Sequence, residues 1–330
     1  MEKRLEWIDS LKGFCIFLVV FGHLSPEAEI ERYIYSFHMF FFFAVSGFLF
    51  NSESGVSHIF LIKKCKSLLI PYLFWNVAST IYAIINTGDF ANALSTMLTI
   101  DGSIGWNRPI WFLPVLFFTV IIYSLLNRYI PFSMGLCLTI SPIIWYFLKG
   151  KLFILKFDIV PIALFFFSLG IVIRKLFMSN FFKKNNIKIS LLFLLFTAII
   201  HIVFGVYLNK RIIFTYSKFY NYSYCLLAGI GGVVFYFVLF HILRPNKILS
   251  YLGKRTLFIM CTHYWYLTGI NRITQKFFNY DIWHTRGTFK AFIYGIILIL
   301  LISGTMYILE LLCIKYPRIK KLALIVGLYV

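Results

Sequence analysis

The chain is predicted to be an all-α, polytopic membrane helix bundle of about ten transmembrane helices. Of its 330 residues, 60% are hydrophobic and only 13% charged, where a soluble domain is roughly 45–50% apolar. Mean hydropathy is +0.83. Apolar runs close to the length that a hydrocarbon core requires recur along the whole chain, and lysines and arginines gather between them. The loops left over are too short for a soluble domain, so residues 1–330 read as one integral membrane domain.

The first span, near 8–24, follows a basic start that Glu6, Asp9 and Lys12 interrupt, with no small-residue cleavage site. It reads as an uncleaved span and not as a removed signal peptide. The connection Ser25–Arg32 is short, so the second span, near 33–50, forms an antiparallel hairpin with the first. Its Phe40–Phe43 run reads as lipid-facing, beside a small-residue notch at Ser46 and Gly47. The third span, near 68–86, is preceded by Lys63-Lys64-Cys65-Lys66 and carries Pro71 close to its start, where proline is tolerated. Asn107-Arg108-Pro109 leads into the fourth, near 109–127, with Trp111 beside Arg108 at its outer mouth. Further runs lie near 132–148, 157–174, 188–208 and 222–243, the last containing Gly229-Ile230-Gly231-Gly232. The ninth, near 256–271, contains His263. The tenth, near 290–314, contains Glu310, either a buried acid or a charge at the end of the span.

Orientation follows from the positive-inside rule. With the N-terminus cytoplasmic, about 19 lysines and arginines fall inside, Lys3, Arg4, Lys183 and Lys184 among them, against about 12 outside. Both termini are then cytoplasmic, in a multi-pass protein of the cell (plasma or inner) membrane surrounded by its lipids. The same need for basic loops accounts for the formal net charge of +20. No basic helix, zinc spacing or RNA-binding signature is present, so nucleic acid is not a partner. The six cysteines lie mostly in apolar runs without a CxxC pair, which predicts neither a disulfide framework nor a metal site.

Lys12 and His23 carry the chemistry of the first span. Eleven steps of about 100° bring them within roughly 20° of one helix face, about 16 Å apart along the axis. Ionisable groups at membrane depth are costly and mark function by default. Histidine titrates near neutral pH, which suits proton removal from a hydroxyl. The hairpin brings His38 to the outer level of His23, near Glu27, Glu29, Glu31 and Arg32. Lys12 reads as an anion contact or site-orienting charge, or as a lysine that snorkels to the interface. Asp9 either orients a partner or neutralises Lys12. Lys63 and Lys66 read as a topology signal that can also contact an anionic ligand, and Arg108 as an interfacial anchor beside Trp111 or a functional cation, while His58, His201, His241 and His284 carry no partner pattern.

Several fragments, in order, resemble the acyltransferase 3 family of integral membrane proteins. They are Trp7-Ile8-Asp9-Ser10-Leu11-Lys12-Gly13 running to Gly22-His23, with its Arg/Lys-x10-His spacing, and Phe37-His38-Met39 leading to Ser46-Gly47-Phe48. Leu69-Ile70-Pro71-Tyr72-Leu73-Phe74-Trp75, Trp111-Phe112-Leu113-Pro114 and Leu252-Gly253-Lys254-Arg255-Thr256-Leu257, leading to His263, complete the series. The resemblance implies a bundle of about ten spans, acyl-CoA (usually acetyl-CoA) as donor, and a carbohydrate or lipid-linked sugar of the cell envelope as acceptor. It also implies His23 as the catalytic residue and Lys12 as the first basic residue of the spaced motif. Where the family often has arginines at the edge of the third span, this chain has Lys63 and Lys66, which lack the bidentate fork suited to phosphate.

The expected activity is therefore membrane O-acetyl transfer. A basic inner mouth would hold the nucleotide, and the acyl-bearing arm would reach His23, acting as general base or as an acyl relay. The competing reading is a membrane transporter or flippase of a glycan or lipid-linked precursor, in which intramembrane His and Lys relay protons. Against it, no inverted repeat or matching pair of broken helices is evident, and Gly229–Gly232 has no twin.

Overall fold

A computed structural model describes residues 5–51, 57–98, 105–179, 187–283 and 287–328. Lys3, Arg4, Lys183, Lys184 and His284 lie outside the described residues. Among the described residues the chain is helical, with α1 (Glu6–Gly22), α2 (Ala28–Tyr35), α3 (His38–Phe48), α4 (His58–Lys64), α5 (Ile70–Thr87), α6 (Phe90–Leu98), α7 (Phe112–Tyr129), α8 (Ser133–Phe147), α9 (Val160–Met178), α10 (Ile187–Ile202), α11 (Tyr222–Ile242), α12 (Lys247–Gly253), α13 (Thr256–Phe278), α14 (Thr288–Lys315) and α15 (Lys320–Ile325). One isolated antiparallel bridge joins Ile213 to Lys218.

By length and composition, six helical stretches among the described residues can cross a membrane: His58–Thr87, Arg108–Tyr129, Ile154–Met178, Lys188–Tyr207, Tyr222–Ile242 and Thr288–Lys315. The other predicted runs fall on α1, on α2 with α3, on α8 and on α13, which are shorter, divided or more polar.

The helices form two compact units that alternate along the chain: Met1–Val45, Val172–Ile212 and Phe219–Ile308 in the first, and Ser46–Ile171, Ile213–Lys218 and Leu309–Val330 in the second.

In the first unit α12 is seated on α1 backbone to backbone. A Cβ on Gly13 would lie 1.9 Å from Leu249 O, and one on Gly253 would lie 1.7 Å from Asp9 O, so only glycine fits at either position. The Ser10 and Ser250 hydroxyls, 2.8 Å apart, pin the same contact. Asn246 starts α12 by accepting from the Ile248 and Leu249 N–H groups at 3.0 Å each, as an N-cap asparagine does.

The predicted span 33–50 is two helices, α2 and α3, separated at Ser36 and Phe37. The break is held by side chains: Ser36 Oγ donates to Tyr33 O at 2.8 Å and lies 2.8 Å from His201 Nε2. It rests in a recess of small residues, since a Cβ on Gly232 would come within 2.5 Å of Phe37 Cβ. The Gly229–Gly232 segment is thus a packing recess in an unbroken α11. The Phe40–Phe43 run is not lipid-facing: Phe40, Phe41 and Phe43 are fully buried and Phe42 nearly so. A helix apolar on every side, as α3 is, is enclosed by protein.

In the second unit the third span begins ten residues before the predicted start. Pro71 has no N–H and would crowd the carbonyl four residues back in a regular helix. A π-helical turn at Cys65–Leu69 widens the ladder just ahead of it, and helix continues unbroken from His58. Lys156 is buried there with Asp158, Nζ to Oδ2 3.2 Å, beside Ser217 Oγ at 2.7 Å.

Candidate active site

His23 occupies the C-cap of α1, its backbone N–H donating to Val19 O at 3.3 Å and Val20 O at 3.2 Å. The helix is regular up to that residue, so the shared phase of Lys12 and His23 holds. Lys12 pairs with Asp9 at 3.2 Å, and both side chains are largely shielded.

Three elements of the first unit converge on His23. From the end of α2 comes Tyr35, whose hydroxyl lies 3.4 Å from His23 Nδ1 and donates to Gly22 O at 3.4 Å. From α13 come His263 and Tyr264, with ring centroids 5.3 Å and 5.4 Å from that of His23. From the segment before α11 comes Arg211, whose guanidinium sits 4.4 Å over the Tyr35 ring. Its Nη1 donates to Glu31 Oε2 at 3.1 Å, and the Glu31 side chain is only 6% exposed. Burial works against the Arg211 charge, but the Tyr35 hydroxyl and the Glu31 carboxylate outweigh it, so its pKa stands above the ordinary guanidinium value.

The ring orientations are fixed by backbone carbonyls. His263 Nδ1 donates to Ile259 O at 2.9 Å, which leaves Nε2 as the acceptor. That Nε2 is buried and has no hydrogen-bond partner among the described residues. His38 Nδ1 donates to Ile34 O at 2.7 Å, and its ring meets Tyr35 edge-on at 5.0 Å. Tyr35 therefore stands between the two histidines that the hairpin was expected to bring level.

The three glutamates do not act as a set. Glu27 precedes α2, and Glu29 pairs with Arg32 at 2.7 Å on the exposed side. Only Glu31 turns inward. His201 is absorbed by the α2–α3 break, His241 packs against Trp7 and Phe177, and His58 is exposed at the start of α4. Glu310 is half-buried in α14.

Lys63, Lys66 and Arg108 belong to the second unit. Lys63 and Lys66 are exposed on either side of the α4–π junction. Arg108, also exposed, lies 5.7 Å over the Tyr216 ring. Among the described residues no group of three His, Cys, Asp or Glu side chains is placed to hold a metal ion.

Sequence reasoning had not picked out Tyr35, Tyr264 or Arg211. Tyr35 and Tyr264 each adjoin or nearly adjoin a histidine already singled out. Arg211 lies in a connecting segment with no local signal.

No curated protein and no solved structure matches the chain significantly. The family model described as an acyltransferase domain, acyltransferase 3, matches residues 5–311. The match takes in every side chain gathered around His23, and the chain accordingly belongs to the acyltransferase 3 family, as a multi-pass membrane acyltransferase.

Proposed function

We propose that the protein transfers an acetyl group from acetyl-CoA to a hydroxyl of a cell-envelope saccharide or lipid-linked sugar, in the cell membrane, with His23 as general base. The observation that carries this reading is the convergence of Tyr35, His263 and Tyr264 on the His23 imidazole at the end of α1. Tyr35 places its hydroxyl 3.4 Å from His23 Nδ1, and the His263 and Tyr264 rings lie 5.3 Å and 5.4 Å from the same imidazole. A neutral imidazole accepts the proton of a hydroxyl at a ring nitrogen.

In the reaction the acceptor oxygen attacks the thioester carbonyl while its proton passes to the His23 imidazole. The tetrahedral intermediate then collapses, the C–S bond breaks, and the imidazolium returns the proton to the departing thiolate. Arg211 holds the Tyr35 ring from the other side, and the Glu31 carboxylate holds Arg211. His38 locks onto the backbone of α2 and supports Tyr35 by ring contact. Lys12, oriented by Asp9, supplies positive charge for the anionic donor.

The test is transfer of labelled acetyl from acetyl-CoA to envelope carbohydrate, with matched amounts of inserted wild-type and His23→Ala protein. The expected result is label in the wild type and a loss of about 10²–10⁴-fold in the variant. Equal label in both would remove His23 from the mechanism. Label that stays on the protein before acceptor is added would replace the general base with a covalent acyl-histidine.

A further inference from the structure

At the opposite end of α1 from His23, the first unit carries a recess of about 390 Å³, lined by Glu6, Lys247, Ser250, Tyr251, Lys254 and Arg255. Small-molecule sites run from roughly 300 to 1,000 Å³. We propose that this recess holds the phosphate-bearing nucleotide end of the acyl donor, a subsite that rests on the acyl-CoA reading above.

Two lysines and an arginine face one carboxylate, which suits a ligand that combines several phosphate charges with a few hydroxyl or amino donors. Lys247 and Lys254 are exposed. Arg255 is held in place, with its guanidinium 3.9 Å over the Tyr251 ring and Nη1 donating to Tyr251 O at 3.2 Å. An oriented planar guanidinium is the stronger phosphate partner, and the lysines add point charge. Glu6 would repel phosphate but accepts well from a ribose hydroxyl or an adenine amino group, so a nucleotide fits the wall better than inorganic phosphate.

The recess is formed by α12, its turn into α13, and the first residue of α1. The Gly13 and Gly253 contacts and the Ser10–Ser250 pair fix α12 to α1, and Ser250 Oγ also donates to Glu6 O at 3.2 Å. The walls are therefore set by backbone contact and not by flexible side chains alone.

Glu6 opens α1 and His23 caps it, and a helix of 17 residues spans about 25 Å at 1.5 Å per residue. Acyl-CoA is a ligand of this shape, with phosphates at one end and the reacting carbonyl at the end of a long thin arm. Lys12 lies on the same helix between the two.

The experiment uses full-length protein in neutral detergent and labelled adenosine 3′,5′-bisphosphate, the nucleotide terminus of coenzyme A without its arm. The wild type should bind it, and Lys247→Glu/Lys254→Glu should weaken binding at least tenfold and raise the KM for acetyl-CoA by a similar factor. Lys276→Glu/Lys290→Glu, with the same charge change elsewhere on the first unit, should leave bisphosphate binding as it was. Equal bisphosphate affinity in wild type and Lys247→Glu/Lys254→Glu would overturn the subsite, as would the absence of any bisphosphate binding to the wild type. Repeating the measurement in nanodiscs with phosphatidylglycerol separates the lipid source of the same chemistry: the subsite is also overturned if lipid displaces the bisphosphate completely. Failure of the donor reading looks different, because bisphosphate would bind through Lys247 and Lys254 while acetyl-CoA gave no transfer.

Discussion

The two ends of α1 are built on opposite principles. Around His23 the side chains are mostly aromatic and largely buried, with the Arg211–Glu31 ion pair behind them, and the rings are oriented by hydrogen bonds to backbone: Tyr35 to Gly22 O, His263 to Ile259 O, His38 to Ile34 O. Around Glu6 the side chains are cationic and mostly exposed, and only the scaffold beneath them is fixed. The contrast teaches where precision is needed. Proton transfer depends on which ring nitrogen carries hydrogen and where it points, whereas holding phosphate tolerates mobile charges in water.

The sharpest way to break the comparison is at His23, where the alanine variant is expected to lose about 10²–10⁴-fold in transfer while remaining inserted. Next comes the contact that joins the ends. Gly13→Ala drives a methyl into Leu249 O and should cost about 1–3 kcal/mol of stability. Thermal unfolding in detergent should report the loss, and both kcat and donor KM should worsen together.

Arg211→Ala should act on the histidine end alone. It leaves the Glu31 carboxylate buried without its cation, at a cost of about 1–3 kcal/mol. Glu31→Gln/Arg211→Ala, which removes the stranded charge, should recover part of the melting temperature but not the kcat. Tyr35→Phe keeps the ring stacked under Arg211 and removes only the hydroxyl, so kcat should fall roughly 2–10-fold, the worth of one hydrogen bond, with donor KM unchanged. The smallest effect is expected from Lys63→Ala/Lys66→Ala. Exposed point charges contribute about 0–1 kcal/mol, so donor KM should rise at most a few-fold, and the difference should fade as salt is added.

Much of the histidine end was legible in the sequence because α1 is a regular helix, and helical phase relates Lys12 to His23 without any tertiary information. Boundaries of α8, α11 and α14 fell within two residues of the apolar runs for the same reason. What escaped depended on contacts distant in sequence. The break in 33–50 needs His201 and Gly232 to support Ser36 and Phe37, and no local pattern announces them. The early start of the third span reflects a π turn ahead of Pro71, which hydropathy does not register. Arg211 meets Glu31 across 180 residues. His263 was visible as an ionisable residue in a span, but its closeness to His23 comes only from the packing of α13 on α1. The Phe40–Phe43 run was misjudged because uniform hydrophobicity looks the same whether its neighbours are lipid or protein.

The pairing of Ser10 with Ser250 also bears on how the chain is made. Those residues are 240 positions apart, and ribosomes add roughly 5–20 residues per second. Helix α1 leaves the ribosome before α12 and waits on the order of 10–50 s for the segment that covers Gly13, Ser10 and the Asp9 carbonyl. During that interval Asp9, Ser10 and Lys12 must be sheltered by the insertion machinery or by the headgroup region. The central helix of the site is therefore seated long after it is synthesised, and a pulse-chase measurement should find protease resistance arriving only after α12 has emerged.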